Sequence, residues 1–240
     1  MSEFNRPNTA YAYNDGTTLN AYIRKVFTLM GIGLGLTAAV AFFGYLSLMS
    51  GGIVYKLFMS SSIFTWGLVI AELGIAFAMS MGISRFSTGT CTGLFMAYSV
   101  LTGLTFSFLP LEFGVTTVFS AFLFAAVLFI CCAVIGHTTN VDLTKFTGLL
   151  FGALLALVIT TVISLFVPAL RDSLFISYAG LLIFLALTAF DMQKIKQFYY
   201  GTGADGTIRS NLAVYSAFQL YLDFINIFIY ILRIMGRRRD

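Results

Sequence analysis

Seven long apolar stretches divide the chain, at residues 26–49, 57–81, 91–109, 115–135, 146–167, 174–191 and 211–235, with most of the charge lying between them. Each is close to the roughly 20 residues an α-helix needs to cross a hydrocarbon core. The breaks carry turn and boundary residues: Gly51, Gly52 and Lys56, then Arg85, then Pro110 and Glu112, then the segment GHTTNVDLTK, then Pro168 with Arg171 and Asp172, then GTGADG. Glycine and proline punctuate, and charge stays out of the lipid. Asn140 or Asp142 stands where an N-cap for the fifth helix is needed.

Residues 1–25 are polar, rich in Asn and Thr, and predict a flexible arm. The run that follows is too long for the apolar core of a cleaved signal peptide, so it is read as a span. Its GIGLG, from Gly31 to Gly35, lacks the preceding strand and following Lys of a phosphate loop and predicts close helix packing instead. The expected architecture is an all-α integral membrane protein: the arm, a seven-helix transmembrane domain over 26–235, and a basic tail over 236–240.

Composition agrees, since 59% of the residues are hydrophobic and only 10% charged, against about 25% charged in ordinary soluble domains. The formal net charge of +4 is carried by loop Lys and Arg and not by a basic run interleaved with aromatics, which argues against a nucleic-acid partner. The three cysteines, Cys91, Cys131 and Cys132, lie in apolar runs and form no C-x-x-C, so no disulfide framework or structural metal site is expected. With a cytoplasmic N-terminus and seven crossings, Arg6, Arg24, Lys25, Arg85, Lys145, Lys194, Lys196 and Arg209 fall inside, and Lys56 and Arg171 outside. That bias favours the N-in orientation. The Arg237–Arg239 tail then falls outside, against the same rule; helix length is weighed above it.

Four ionisable groups interrupt the apolar runs: Glu72, Asp191, Asp223 and Arg233. Such groups are rare at membrane depth and mark candidate functional sites. Along the last run, Tyr215, Gln219, Asp223, Asn226, Tyr230 and Arg233 recur in steps of three and four, which places them on one helical face. A polar stripe of this kind cannot face lipid, so the helix is surrounded by the others or lines a water-filled path. Gln219 and Asn226 suit interhelical hydrogen bonds or a pore lining. Asp191 is the natural neighbour of Asp223, because antiparallel neighbours bring the two carboxyls to similar depth. Two carboxylates in one site cannot both ionise at low cost, and they titrate as a unit. Glu72 and Arg233 are expected to form an interhelical ion pair.

LTAFDMQKIK, LYLDFINIFIYILRIMG, AELGIAFAMS and TTNVDLTKF together resemble the transmembrane Bax inhibitor motif family in its bacterial branch. The resemblance covers everything after the arm. It implies six helices wrapped around a central C-terminal helix, a bacterial inner-membrane location, and a pH-sensitive calcium leak governed by a hydrogen-bonded aspartate pair that matches Asp191 and Asp223. The family's acidic residue on the second helix falls on Glu72 and its late arginine on Arg233. An arginine that closes the second helix and latches the first aspartate has no match, since Ile83 holds the equivalent spacing; Arg85, two residues on, is the possible latch.

Three functions compete. The first is a calcium or other cation leak gated by protonation of the pair, with no cofactor and calcium as the permeant ion. Asp191 and Asp223 then offer a weak calcium contact, short of the 6–8 oxygens of a dedicated site. The second is a regulatory protein acting on a membrane partner such as a membrane-bound protease. The third, an intramembrane aspartyl protease, is disfavoured because Leu220-Tyr221-Leu222 stands where Gly-x-Gly is required, and a non-enzymatic role is expected.

Overall fold

The structure, a computed structural model, describes residues 18–60, 62–83, 85–164, 166–167, 173–201 and 206–236. It is helical throughout the described residues, and the first helix already departs from expectation. Helix α1 runs Leu19–Met49, because the Thr18 side chain accepts the Ala21 N–H at 3.2 Å and caps it. The last seven residues of the expected arm, 19–25, are therefore helical. Tyr22 is buried 5.6 Å from the Tyr199 ring, and Lys25 Nζ donates to Ser210 Oγ at 3.3 Å. Residues 1–17 lie outside the described residues, as does the tail over 237–240.

At the far end of α1 the chain turns through Gly51, whose φ of 66° suits a residue without a Cβ. The second apolar run is helical on both sides of residue 61, in α2 (Ile53–Ser60) and α3 (Ser62–Gly82). Ser87 caps α4 (Thr88–Phe106) by accepting the Thr90 N–H at 3.1 Å. Pro110 sits in the first turn of α5 (Leu109–Phe113), and Gly114, at φ 81°, redirects the chain into α6 (Val115–Thr138). Asp142 caps a 3₁₀ turn, Leu143–Phe146, that leads into α7 (Thr147–Ser164), as one of the two candidate caps requires. The Thr144 hydroxyl and N–H both donate to its carboxylate and hold it below the usual carboxylate range. That contribution is present above the ordinary Asp value and is lost as pH falls through the lowered one. Helices α8 (Leu174–Gly201) and α9 (Gly206–Gly236) complete the described chain.

Seven helical segments among the described residues are long and apolar enough to cross a membrane. They are not equivalent. In the last, 61% of the most apolar window is buried, against at most 39% in the others, so α9 is the most deeply buried of the seven. Helices α8, α6, α1 and α4 pack directly on it, while α3 leans on α4, and α7 on α8. The outer faces of α3, α6 and α7 expose Ile63, Phe77, Phe124, Leu149 and Phe151, as a lipid-facing surface does.

Close approach depends on small residues. A Cβ on Gly136 of α6 would strike the backbone of Ala189 on α8, and one on Gly103 of α4 would come 2.8 Å from the Thr37 carbonyl oxygen. The GIGLG stretch is a packing motif at one position only: Gly33 abuts Phe95 and Ser99, whereas Gly31 and Gly35 have nothing within 4 Å of an added Cβ.

Two outcomes follow. Gly136→Ala forces α6 from α8 and should lower stability by about 1–3 kcal/mol, read as a fall in the detergent unfolding midpoint, while Gly31→Ala should be silent or slightly stabilising. An odd number of crossings also places the ends of the described chain on opposite sides. Cysteines introduced at Asn20 and at Asp240 should react with impermeant reagents from opposite faces; labelling of both from one face contradicts seven spans.

Candidate functional site

Helices α8 and α9 form the most extensive helix pair, and each contributes one of the two buried aspartates. On α8 a buried run, Leu187 to Met192, holds Asp191 at 8% exposure; on α9 Asp223 is 5% exposed, between Leu220 and Ile227 of the core. The charge of Asp191 acts directly on Asp223, and Thr188, one turn before Asp191, also reaches the Asp223 carboxyl. Thr188 itself donates to the Phe184 carbonyl at 2.8 Å.

The two carboxyls are differently served. Asp191 Oδ1 lies 3.7 Å from Lys194 Nζ, the single ion pair within 4 Å among the described residues. The ammonium is bracketed by the Phe190 ring at 5.4 Å and the Phe198 ring at 5.7 Å, one turn to either side. Asp223 Oδ2 is buried and has no hydrogen-bond partner among the described residues. The hydrogen-bonded dyad implied by the resemblance needs a proton on one carboxyl; in the present arrangement Asp191 is turned to Lys194. An unsatisfied buried carboxylate oxygen is costly, and it is the kind of group that takes up a proton or a cation.

Arg85, the possible latch, makes no ion pair with Asp191 among the described residues. Its side chain is exposed, and Lys194 occupies the role of cation for Asp191. The turn that carries Arg85 is held differently: Asn211, at the start of α9, donates to the Ile83 carbonyl at 3.0 Å and the Phe86 carbonyl at 2.8 Å and accepts the Thr88 hydroxyl at 2.6 Å. A matching clasp fixes the loop after α6. Gln193 donates to the Val141 carbonyl and accepts the Leu143 N–H, at 2.7 and 2.8 Å, and Lys196 donates to the His137 carbonyl. Thus the residues around Asp191 and the first turns of α9 lock both loops at one end of the bundle.

The expected Glu72–Arg233 ion pair is absent. Glu72 Oε1 accepts the Thr105 hydroxyl at 3.0 Å, and its charge acts on the Tyr98 and Tyr221 hydroxyls. Arg233 is exposed, its guanidinium 5.9 Å from the Tyr230 ring. Depth explains the correction: Glu72 is at the middle of α3, whereas Arg233 lies in the last turn of α9, where a long stem carries its charge to the interface. The polar stripe on α9 is likewise uneven. Asp223 and Tyr230 are buried and Gln219 is half-buried; Asn226 is half-buried and donates to Leu222 of its own helix at 2.8 Å, not to another. Among the described residues no group of three or more His, Cys, Asp and Glu is placed to hold a metal.

Comparison with known proteins follows the same residues. The sequence profile described as "Inhibitor of apoptosis-promoting Bax1" matches residues 19–240. The chain is 37% identical over 224 residues to the inner membrane protein YbhL of Escherichia coli K12, covering 92% of this chain and 93% of that one. It is 33% identical to an uncharacterized protein of Borreliella burgdorferi (92% and 94% covered) and 36% identical to an uncharacterized membrane protein of Streptococcus pyogenes serotype M6 (91% and 93% covered).

Because Glu72 and Arg233 share no contact, the effects of Glu72→Gln and Arg233→Gln on unfolding in detergent should add to within about 0.5 kcal/mol in the double variant. A coupling well above that restores the ion pair. Asn211→Ala leaves two carbonyls and a hydroxyl without their partner and should destabilise by about 1–3 kcal/mol, a loss that Asn211→Gln is too long to repair.

Proposed function

The chain belongs to the Bax inhibitor-1 family of membrane proteins, and on that premise we propose that it is a cation leak of a bacterial inner membrane, calcium among its ions, regulated by protonation of Asp191 and Asp223. The observation that carries the reading is the pairing of two buried carboxyls on α8 and α9 with a single cation, Lys194, beside them. With both ionised, the cluster of two carboxylates and one ammonium has one uncompensated negative charge; with one proton it is neutral. Two like charges in one low-dielectric site repel, and that repulsion biases the balance between two packings of a helix pair.

In the protonated state one carboxyl donates to the other or to a neighbouring oxygen, and the helices stay docked. Loss of the proton frees negative charge in the largest helix interface, at the level where the Gln193 and Asn211 clasps close the loops. A cation entering from that side meets the same pair of carboxylates. Calcium is cargo in this scheme and not a resident ion.

Inner-membrane placement rests on the likeness to the E. coli protein and on the seven apolar helices. The test is cation flux through purified protein in liposomes as a function of pH. Wild type should show a pH-dependent leak without any partner protein, and Asp191→Asn and Asp223→Asn should each remove or displace that dependence while the protein stays folded. A leak that keeps the wild-type pH profile in both variants overturns the assignment; no leak at all turns the reading toward a regulatory protein acting through a membrane partner.

A further inference from the structure

At the opposite end of the bundle from the Asp191–Lys194 pair, α1 carries a run of small residues, Ala38, Ala39 and Ala41, where its neighbours carry rings. The mismatch leaves a cavity of about 370 Å³ between α1, the α4–α5 corner, α6 and α9. Ala38 and Ala41 form its floor. Phe106, Phe122, Phe224 and Phe228 form its walls and brace one another, with Phe122 5.3 Å from Phe224 and Phe106 5.7 Å from Phe228, so the space does not close by rotation of a single ring.

Its chemistry is almost wholly apolar. The one hydroxyl deep in the wall, on Thr37, donates to the Ser99 carbonyl at 2.9 Å and is 2.7 Å from the Tyr221 hydroxyl, so it is already occupied. A water or ion entering this space meets no partner, and apolar cavities exclude water for that reason. The volume falls within the ordinary range of ligand pockets, about 300–1,000 Å³. The cavity is not sealed. Phe42 and Phe119 at its rim are 57% and 63% exposed, and the opening is continuous with the lipid-facing surface of α1 and α6 at membrane depth. Tyr45, nearer the end of α1, also lines it, and an amphipathic ring at that level suits the border between acyl chains and headgroups.

We propose that this cavity is a binding seat for one acyl chain of a membrane phospholipid, entering from the leaflet in which α1 ends. The bound chain would lie against Phe224 and Ile225, the residues that follow Asp223 on α9, and would fill the gap beside them. The inference stands on the cavity and does not depend on ion conduction.

The test is to reconstitute the full chain in phosphatidylethanolamine–phosphatidylglycerol vesicles with a trace of phosphatidylglycerol carrying a diazirine on its acyl chain, illuminate, and map the labelled residues. The expected label is concentrated on Ala41, Phe122, Phe224 and Ile225, several-fold above the outer face of α7 at Phe151 and Leu155. Filling the floor with Ala41→Trp, or more mildly with Ala38→Leu, should lower cavity labelling and leave α7 labelling unchanged. Label spread evenly over all lipid-facing residues overturns the proposal even if neither variant folds. Unchanged labelling in a folded variant, or efficient Ala38→Cys cross-linking between two copies in place of lipid label, also overturns it.

Discussion

A carboxyl group on the most deeply buried helix of a membrane bundle is the constraint from which the remaining features follow. Asp223 cannot face hydrocarbon, and with no cation of its own it demands neighbours on every side. The bundle answers by burying α9 more deeply than any other span and by setting Asp191, with Lys194 behind it, against the one face that carries charge. Charge and packing are therefore the same problem here.

The two ends of the bundle are built on different principles. At the Asp191 end the closures are polar and directed at backbone: Asn211 holds the turn between α3 and α4, and Gln193 and Lys196 hold the loop after α6. At the other end contacts are between rings and alanines, with a lipid-facing cavity in place of a polar path. Glu72, half-buried, is held by Thr105 and lies near Tyr98.

Much of this was legible in the sequence because the relevant signals are local or periodic. Seven runs near 20 residues give the spans, and the three-and-four spacing from Tyr215 to Arg233 gives the face of α9 that includes Asp223. What periodicity lacks is depth and partner. Complementary charge suggested Glu72 with Arg233, yet the two lie at different heights, and a threonine hydroxyl is enough for Glu72. Lys194 was visible as a cation three residues after Asp191, one helical turn away, but reads equally well as a boundary marker. Asn211 and Gln193 act on backbone carbonyls, which every residue possesses, so nothing in the pattern of side chains announces them. The start of α1 was missed because Thr18 lies within a stretch of polar composition; a Thr before a residue run ending in Tyr22 and Ile23 was the available signal.

The central claim is that Asp191 and Asp223 share a proton as one unit with Lys194 as their single counter-charge. Infrared spectroscopy of the reconstituted protein, following the protonated-carboxyl stretch through the pH range in which flux changes, tests it most directly. The account predicts one carboxyl band in wild type that disappears across that range, and its loss in Asp223→Asn, where Asp191 is left to Lys194 alone. A band unaffected by Asp223→Asn, or carboxyls that stay fully ionised throughout, would contradict it.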